Sequence, residues 1–291
     1  MARIVGGLGS THVPSIGRAI AKGLQKDPYW SPFFDGFAEP HRWLDEVKPD
    51  AAVVIYNDHG LQFFLDRMPT FAIGAAPEYR NADEGWGIPV LGPFTGDPKL
   101  SWHIIESLVE DEFDPVTCQE MLVDHAFALP MTLFFGGAAN TLPTVPVVLN
   151  TVQHPIPSLA RCYKLGQAIG RAIESYPEDI KVVVIGTGGL SHQLEGSRAG
   201  FINKGFDQHC MDALTGDLSQ ITRLTQREMV KLAGTQGIEF MNWVTMRGAL
   251  TGEVRELHRN YHIPISNTAS AIMILENRPL QPARERAFAV R

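Results

Sequence analysis

The sequence lacks a long apolar run. Its apolar runs, such as Ala51–Tyr56 and Val182–Ile185, fall far short of the roughly 18 residues a membrane-spanning helix needs. Met1–Gly9 has no apolar stretch of the secretory kind, so no leader is expected. Excess positive charge is also missing: 25 Lys and Arg face 32 Asp and Glu, a formal net charge of −7. A nucleic-acid path needs a basic stripe, and only the tail is Arg-dense, at Arg278, Arg284, Arg286 and Arg291. Cysteine is scarce. Cys118, Cys162 and Cys210 are odd in number, widely spaced and free of any C-x-x-C. That argues against a disulfide framework or zinc ribbon and for a reducing, cytoplasmic setting.

What remains is an ordinary globular composition. The 291 residues are 44% apolar and 20% charged, close to the average for folded domains. A chain near this length buries about 75% of its unfolded surface, enough for a real core. Arg3–Leu8, Ala51–Tyr56, Val145–Leu149 and Lys181–Ile185 read as strands, and their continuous apolar character suits a sheet covered on both faces. Helices are expected at Asp97–Asp111, with Asp97 as N-cap and Pro98 at the first position, and at Ser158–Ser175, with a Ser cap. Asp217–Ala233 and Gln236–Arg247 follow, the last closed by Gly248. Strands alternating with helices imply an α/β fold: one domain over residues 1–278, a mostly parallel or mixed central sheet flanked by helices, and a flexible tail over 279–291. Two segments resist assignment, the aromatic-rich Pro28–Pro40 and the Gly-, Pro- and acid-rich Pro77–Pro98. Long loops of this kind are more often functional than not, although the aromatics of the first also suit core packing.

Three of the ten histidines stand just past an apolar strand. His12 follows the first, His59 follows Ala51–Tyr56, and His192 follows Lys181–Ile185 through Gly186–Gly189. In open α/β sheets the carboxyl edge of the strands is where ligands bind. A single histidine there is usually an ordinary loop residue; three on one edge can converge. The Gly186–Gly189 run fits neither the dinucleotide fingerprint nor a Walker motif, so its glycines are read as a tight turn that carries His192 to a ligand. Glu239, on a helix, would share an apolar stripe with Trp243 and Met246. A carboxylate facing a core costs several kcal/mol unless paired or bound to a metal; the alternative is that Glu239 turns to solvent or caps a neighbouring helix. Two histidines and a carboxylate suit a non-haem Fe(II) oxygenase and equally a zinc hydrolase, although no H-E-x-x-H occurs. A non-catalytic binding protein would not need these groups. His41, His103, His154, His209, His258 and His262 are assigned structural or surface roles, and His125 is placed after an acidic helix end.

Taken together, Ser10-Thr11-His12-Val13-Pro14, Tyr56-Asn57-Asp58-His59, Ala82-Asp83-Glu84-Gly85-Trp86-Gly87, Val123-Asp124-His125, Gly186–Gln193, Arg198-Ala199-Gly200 and Tyr261–Ala269 resemble the type II extradiol ring-cleavage dioxygenases. The likeness is to the protocatechuate 4,5-dioxygenase catalytic β subunit and the gallate-cleaving enzymes, and runs from Met1 to about Asn277. The resemblance implies an Fe(II) cofactor, Fe(2+), held by His12, His59 and Glu239. It implies that His192 is the catalytic acid/base, that His125 stands near bound substrate and dioxygen, and that Ser266 lines a pocket for the substrate carboxylate. The expected substrate is a carboxylated catechol, of protocatechuate or gallate type, opened to a semialdehyde or oxo acid. In relatives a small α subunit, separate or fused, closes the site. Here no fused segment is expected, so either a separate α-type subunit is the partner or this chain works without one, as a homo-oligomer for instance. Ala126 stands where the relatives carry Gly, which bears on pocket shape.

Overall fold

The four apolar runs form the centre of one sheet. The structure is a computed structural model and describes residues 1–85 and 87–278. Its strands are β1 (Arg3–Ser10), β2 (Ala51–Tyr56), β3 (Phe71–Gly74), β4 (Glu78–Asn81), β5 (Phe94–Thr95), β6 (Val116–Cys118), β7 (Leu122–Val123), β8 (Thr144–Leu149), β9 (Lys181–Thr187), β10 (Glu253–Ile265) and β11 (Thr268–Arg278). Eight of them form the sheet β10-β11-β1-β9-β2-β8-β3-β6, while β5-β4-β7 form a small second sheet. β1, β9, β2 and β8 are mutually parallel. β3 and β11 join them antiparallel, so the sheet is mixed, as expected.

The helices are α1 (Pro14–Ala21), α2 (Ser31–Phe34), α3 (Ala38–Val47), α4 (Pro98–Glu110), α5 (His125–Phe135), α6 (Leu159–Ser175), α7 (Lys204–Ala213), α8 (Ser219–Thr222), α9 (Gln226–Ala233) and α10 (Phe240–Ala249). Side chains alternate across a strand. Val182 and Val184 therefore pack with Val53 and Ile55 against α4, α6 and α10. Val183 and Ile185 pack with Val54 and Tyr56 against α1, α3 and α5. The expected caps are present: Asp97 accepts from the Leu100 N–H at 3.0 Å and Ser158 from the Arg161 N–H at 3.2 Å.

Several expectations require correction. Asp217–Ala233 is two helices, because Thr225 and Glu228 form a capping box that starts α9 afresh. The segment at Gln236 opens as a 3₁₀ turn, Gly237–Glu239, and α10 begins only at Phe240. Gly248 does not close α10; the helix continues to Ala249, and a Cβ at Gly248 would stand 2.4 Å from the Tyr163 carbonyl of α6. The glycine serves a helix crossing. Pro28–Pro40 is largely helical, and Phe33 and Phe37 are fully buried. The long β10–β11 hairpin was not foreseen, since its outer strand alternates charged and apolar residues. The expected tail, 279–291, lies outside the described residues.

One contact in this framework sets the depth of the site. A Cβ on Gly9 of β1 would lie 2.3 Å from the Trp243 ring of α10, so glycine there lets α10 lie directly on the sheet. Gly9→Ala should destabilise the fold by about 1–3 kcal/mol through overpacking and push the start of α10 away from the strand ends. Denaturant unfolding measures the loss; an unchanged midpoint would mean that Trp243 yields without moving the helix.

Candidate metal centre and active site

β1, β9 and β2 are neighbours and parallel, so the segments leaving their carboxyl ends meet. His12 leaves β1, His59 leaves β2 and His192 leaves β9. Glu239 reaches the same point from the opposite side, at the turn into α10. Its Oε2 lies 3.4 Å from His12 Nε2 and 3.9 Å from His192 Nε2, and its Oε1 lies 3.5 Å from His59 Nε2. Glu239 is 6% exposed. Gly188 takes φ +144° beneath it, and a Cβ there would stand 2.8 Å from Glu239 Cβ. The glycine run thus makes the close approach that its composition suggests. The alternative of a solvent-facing Glu239 is excluded, although the residue sits in a 3₁₀ turn and not on a helical stripe.

Each imidazole is oriented by a second contact. His12 Nδ1 meets Thr187 Oγ1 at 3.1 Å, and its Nε2 is buried without a hydrogen-bond partner. His59 Nδ1 donates to Asp124 Oδ2 at 2.8 Å, and the His59 backbone N–H donates to the same oxygen at 2.9 Å. Asp58 accepts from the backbone N–H groups of Gly60, Leu61, Gln62 and Phe63, which fixes the turn behind His59. His192 Nδ1 donates to the Leu190 carbonyl at 3.0 Å. A carbonyl can only accept, so the neutral ring presents an unprotonated Nε2. The strand bridge between His192 and Thr268 ties this loop to β11.

His125 joins the cluster from the first residue of α5. Asp124 does not end a helix; it is the N-cap of α5 and accepts from the Ala126 N–H at 2.9 Å. Glu84 holds His125 at both its backbone N–H and its Nδ1, at 2.6 and 2.5 Å. The His125 and His59 rings lie 4.3 Å apart and tilted by 30°. His125 Nε2 is buried and unpartnered. Sequence reasoning gave neither Glu84 nor Asp124 a role. The signal for Glu84 lay in the Ala82–Gly87 segment, and that for Asp124 in its position directly before His125.

Charge balance follows from these contacts. Burial alone would raise the pKa of Glu239, but the facing His12 and His59 outweigh it and hold the carboxyl well below its usual range. Asp124 behaves likewise, held low by His59. Burial would lower the pKa of His59, and Asp124 and Glu239 reverse that and raise it well above the ordinary value. Burial dominates at His12 and lowers it. The residues fit a divalent cation. An unpartnered buried imidazole nitrogen and a buried carboxylate facing two further imidazoles form a donor set that a cation satisfies. His125 also brings a ring nitrogen within 4.8 Å of ring nitrogens of His12 and His59. Among the described residues, however, the Glu239 carboxylate approaches His12, His59 and His192 but not His125.

These groups line a cavity of about 370 Å³ together with Ser266 and Thr268. Ser266 stands at the tip of the β10–β11 hairpin with φ +55°, and its N–H donates to Tyr29 Oη at 3.1 Å. Of the six histidines assigned structural roles, His41, His103 and His258 each bond a backbone carbonyl. The three cysteines are buried and free. Among the described residues no helix is long and apolar enough to cross a membrane.

The family of catalytic LigB subunits of aromatic ring-opening dioxygenases matches residues 6–271. The chain belongs to this family. A gallate dioxygenase of Pseudomonas putida is 43% identical over 198 residues, which cover 68% of this chain and 58% of that protein. A 2,3-dihydroxyphenylpropionate/2,3-dihydroxicinnamic acid 1,2-dioxygenase of a Rhodococcus species is 27% identical over 259 residues, covering 74% of this chain and 80% of that protein. A crystal structure of an uncharacterized Escherichia coli K12 protein shares the fold at TM-score 0.58 and 14% identity, covering 92% of this chain and 99% of that one. The resemblance read from the sequence and the α/β fold expected from its patterning are both borne out.

The Asp124–His59 contact of this ring-opening dioxygenase family member is directly testable. Asn is as good an N-cap as Asp, but it carries no charge to hold the His59 Nδ1–H. Asp124→Asn should weaken metal binding roughly 10–100-fold while its circular dichroism stays native. Titration of metal-depleted protein under argon gives the number, and unchanged affinity would remove Asp124 from the site.

Proposed function

We propose that this chain opens a carboxylated catechol ring with dioxygen, beside one of the two hydroxyls, using Fe(II) held by His12, His59 and Glu239. The observation that carries the reading is the meeting of these three groups, with the free Nε2 of His192 beside them, at the ends of three neighbouring parallel strands. Names of the relatives, a gallate dioxygenase and a dihydroxyphenylpropionate dioxygenase, support the substrate class. The catalytic unit of this reading is residues 1–278.

Bound there, Fe(II) would supply Lewis-acidic and redox chemistry. The residues do the rest. His192 Nε2 accepts the proton that a ring hydroxyl loses, holds it as the imidazolium, and returns it when the ring opens. Its Nδ1–H stays on the Leu190 carbonyl throughout, so the ring does not turn away. His125, clamped by Glu84, lines the cavity and would hydrogen-bond the bound reactants through Nε2. Both oxygen atoms of dioxygen end in the product, and no separate reductant is consumed. The Ser266 hydroxyl faces the cavity as a donor for the ring carboxylate, because its N–H is already taken by Tyr29. A small α-type subunit or a second copy of the chain closes the cavity in this reading, and its addition should raise the rate by excluding water.

Two variants test the assignment. Glu239→Ala should stay folded and lose stoichiometric iron by metal analysis. His192→Phe should keep its iron and lose roughly 10²–10⁴-fold in oxygen uptake on gallate or protocatechuate. Normal iron in the first, or near-normal turnover in the second, defeats the corresponding role. A zinc-loaded protein that hydrolyses esters and leaves oxygen untouched would replace the reading altogether. Ser266→Ala should raise KM for the carboxylated rings more than for plain catechol; equal effects on both would exclude the hydroxyl as a carboxylate donor.

A further inference from the structure

The cavity wall carries one acid and one permanent cation. The acid is Glu239, whose charge faces the metal-binding imidazoles. The cation is Arg18. It belongs to α1, which starts two residues after His12, and it shares a helix face with Pro14 and Ser15, which also line the cavity. The other face of α1, with Ile16, Gly17 and Ala19, is buried. Spacings of three and four residues put Arg18 one turn, about 5.4 Å, further along that face than Pro14 and Ser15. His12 therefore sits at the floor and Arg18 nearer the mouth. The Arg18 stem lies across the backbone of Gly87: a Cβ on Gly87 would be 3.7 Å from Arg18 Cγ and 3.8 Å from its Nε. The side chain is exposed, and among the described residues no carboxylate lies within 4 Å of its guanidinium.

We infer that Arg18 is the charge-pairing anchor for the carboxylate of the aromatic substrate and so selects anionic over neutral rings. This rests on the proposed function and specifies it further. A ring whose two hydroxyls face His12, His59 and Glu239 projects its far substituent toward the mouth, where the guanidinium stands. A guanidinium matches a carboxylate with two parallel N–H donors. Ser266 offers one neutral hydroxyl and, with its N–H committed to Tyr29, little else. A neutral donor does not distinguish a carboxylate from its ester by charge; a cation does.

The test is equilibrium binding under argon, so that it does not depend on turnover. Gallate and methyl gallate carry the same ring and hydroxyls and differ in charge. Calorimetry on Fe(II)-loaded wild-type protein, Arg18→Gln and Arg18→Lys should show wild type preferring gallate. Arg18→Gln should lose roughly 10-fold in gallate affinity and leave methyl gallate unchanged, and Arg18→Lys should recover part of the loss. Added salt should weaken gallate binding by wild type but not by Arg18→Gln. Equal loss for acid and ester, no loss for gallate, or no preference in wild type overturns the inference. A gallate effect confined to Ser266→Ala overturns it too. A protein that binds with the expected preference and consumes no oxygen overturns the proposed function and leaves Arg18 as the anchor.

Discussion

A carboxylate buried at the end of a β-sheet is the constraint around which this molecule is arranged. Left alone, Glu239 would cost several kcal/mol or take up a proton. It is instead met by the Gly189 N–H at 2.9 Å, by the Asn57 amide at 3.3 Å and by three imidazoles within 4 Å. Those partners arrive from three strand ends that are far apart in sequence. Asn242, one turn further on in α10, donates to both the Asn57 side chain and the Thr187 carbonyl, so it braces β2 against β9 where the site needs them fixed. The glycine of β1 beneath Trp243 serves the same end, since α10 carries Glu239 only as deep as the sheet allows.

A second layer of carboxylates decides what the imidazoles can do. Asp124 fixes the tautomer of His59 and caps α5; Glu84 does the equivalent for His125 at the next residue. The two rings lie against each other, tilted by 30°. One strong capping residue therefore places two histidines of different purpose. His59 sets its Nε2 beside Glu239 and the Asn57 amide, whereas His125 keeps a nitrogen buried and unpartnered in the cavity. His192 differs from both because its orienting partner is a neutral carbonyl. No carboxylate holds a proton on its Nδ1 by charge, and its Nε2 is left unprotonated in the neutral ring.

How much of this was legible in the sequence depended on the range of the interaction concerned. Apolar runs gave β1, β2, β8 and β9, and the residues just past three of them gave His12, His59 and His192, because strand ends in a parallel sheet share one edge. The Asp97 and Ser158 caps are local and were read correctly. Contacts between distant segments were not: Glu84 to His125, Asp124 to His59 and Tyr29 to Ser266 leave no periodic trace. Glu239 was singled out for a sound reason, the expense of a buried charge, on a helical stripe that the fold replaces with a 3₁₀ turn. The β10–β11 hairpin hid because β10 is an edge strand whose charged residues suit solvent and resemble no buried run.

Floor and mouth of the cavity are built by different physics. The floor is made of strand ends and backbone hydrogen bonds, with His12, His125, His192 and Glu239 buried, and a substitution there disturbs the sheet as well as the chemistry. The mouth is made of an outward face of α1, with Gly87, Ile88 and Pro89 against that helix, and the tip of a hairpin, where Arg18 and Ser266 are exposed. Side chains at such positions change with little effect on stability. A ring-opening centre can thus be retained while the group opposite the hydroxyls is exchanged. The constraint imposed by Glu239 acts on the strand ends and leaves the loops and the outer face of α1 free to vary.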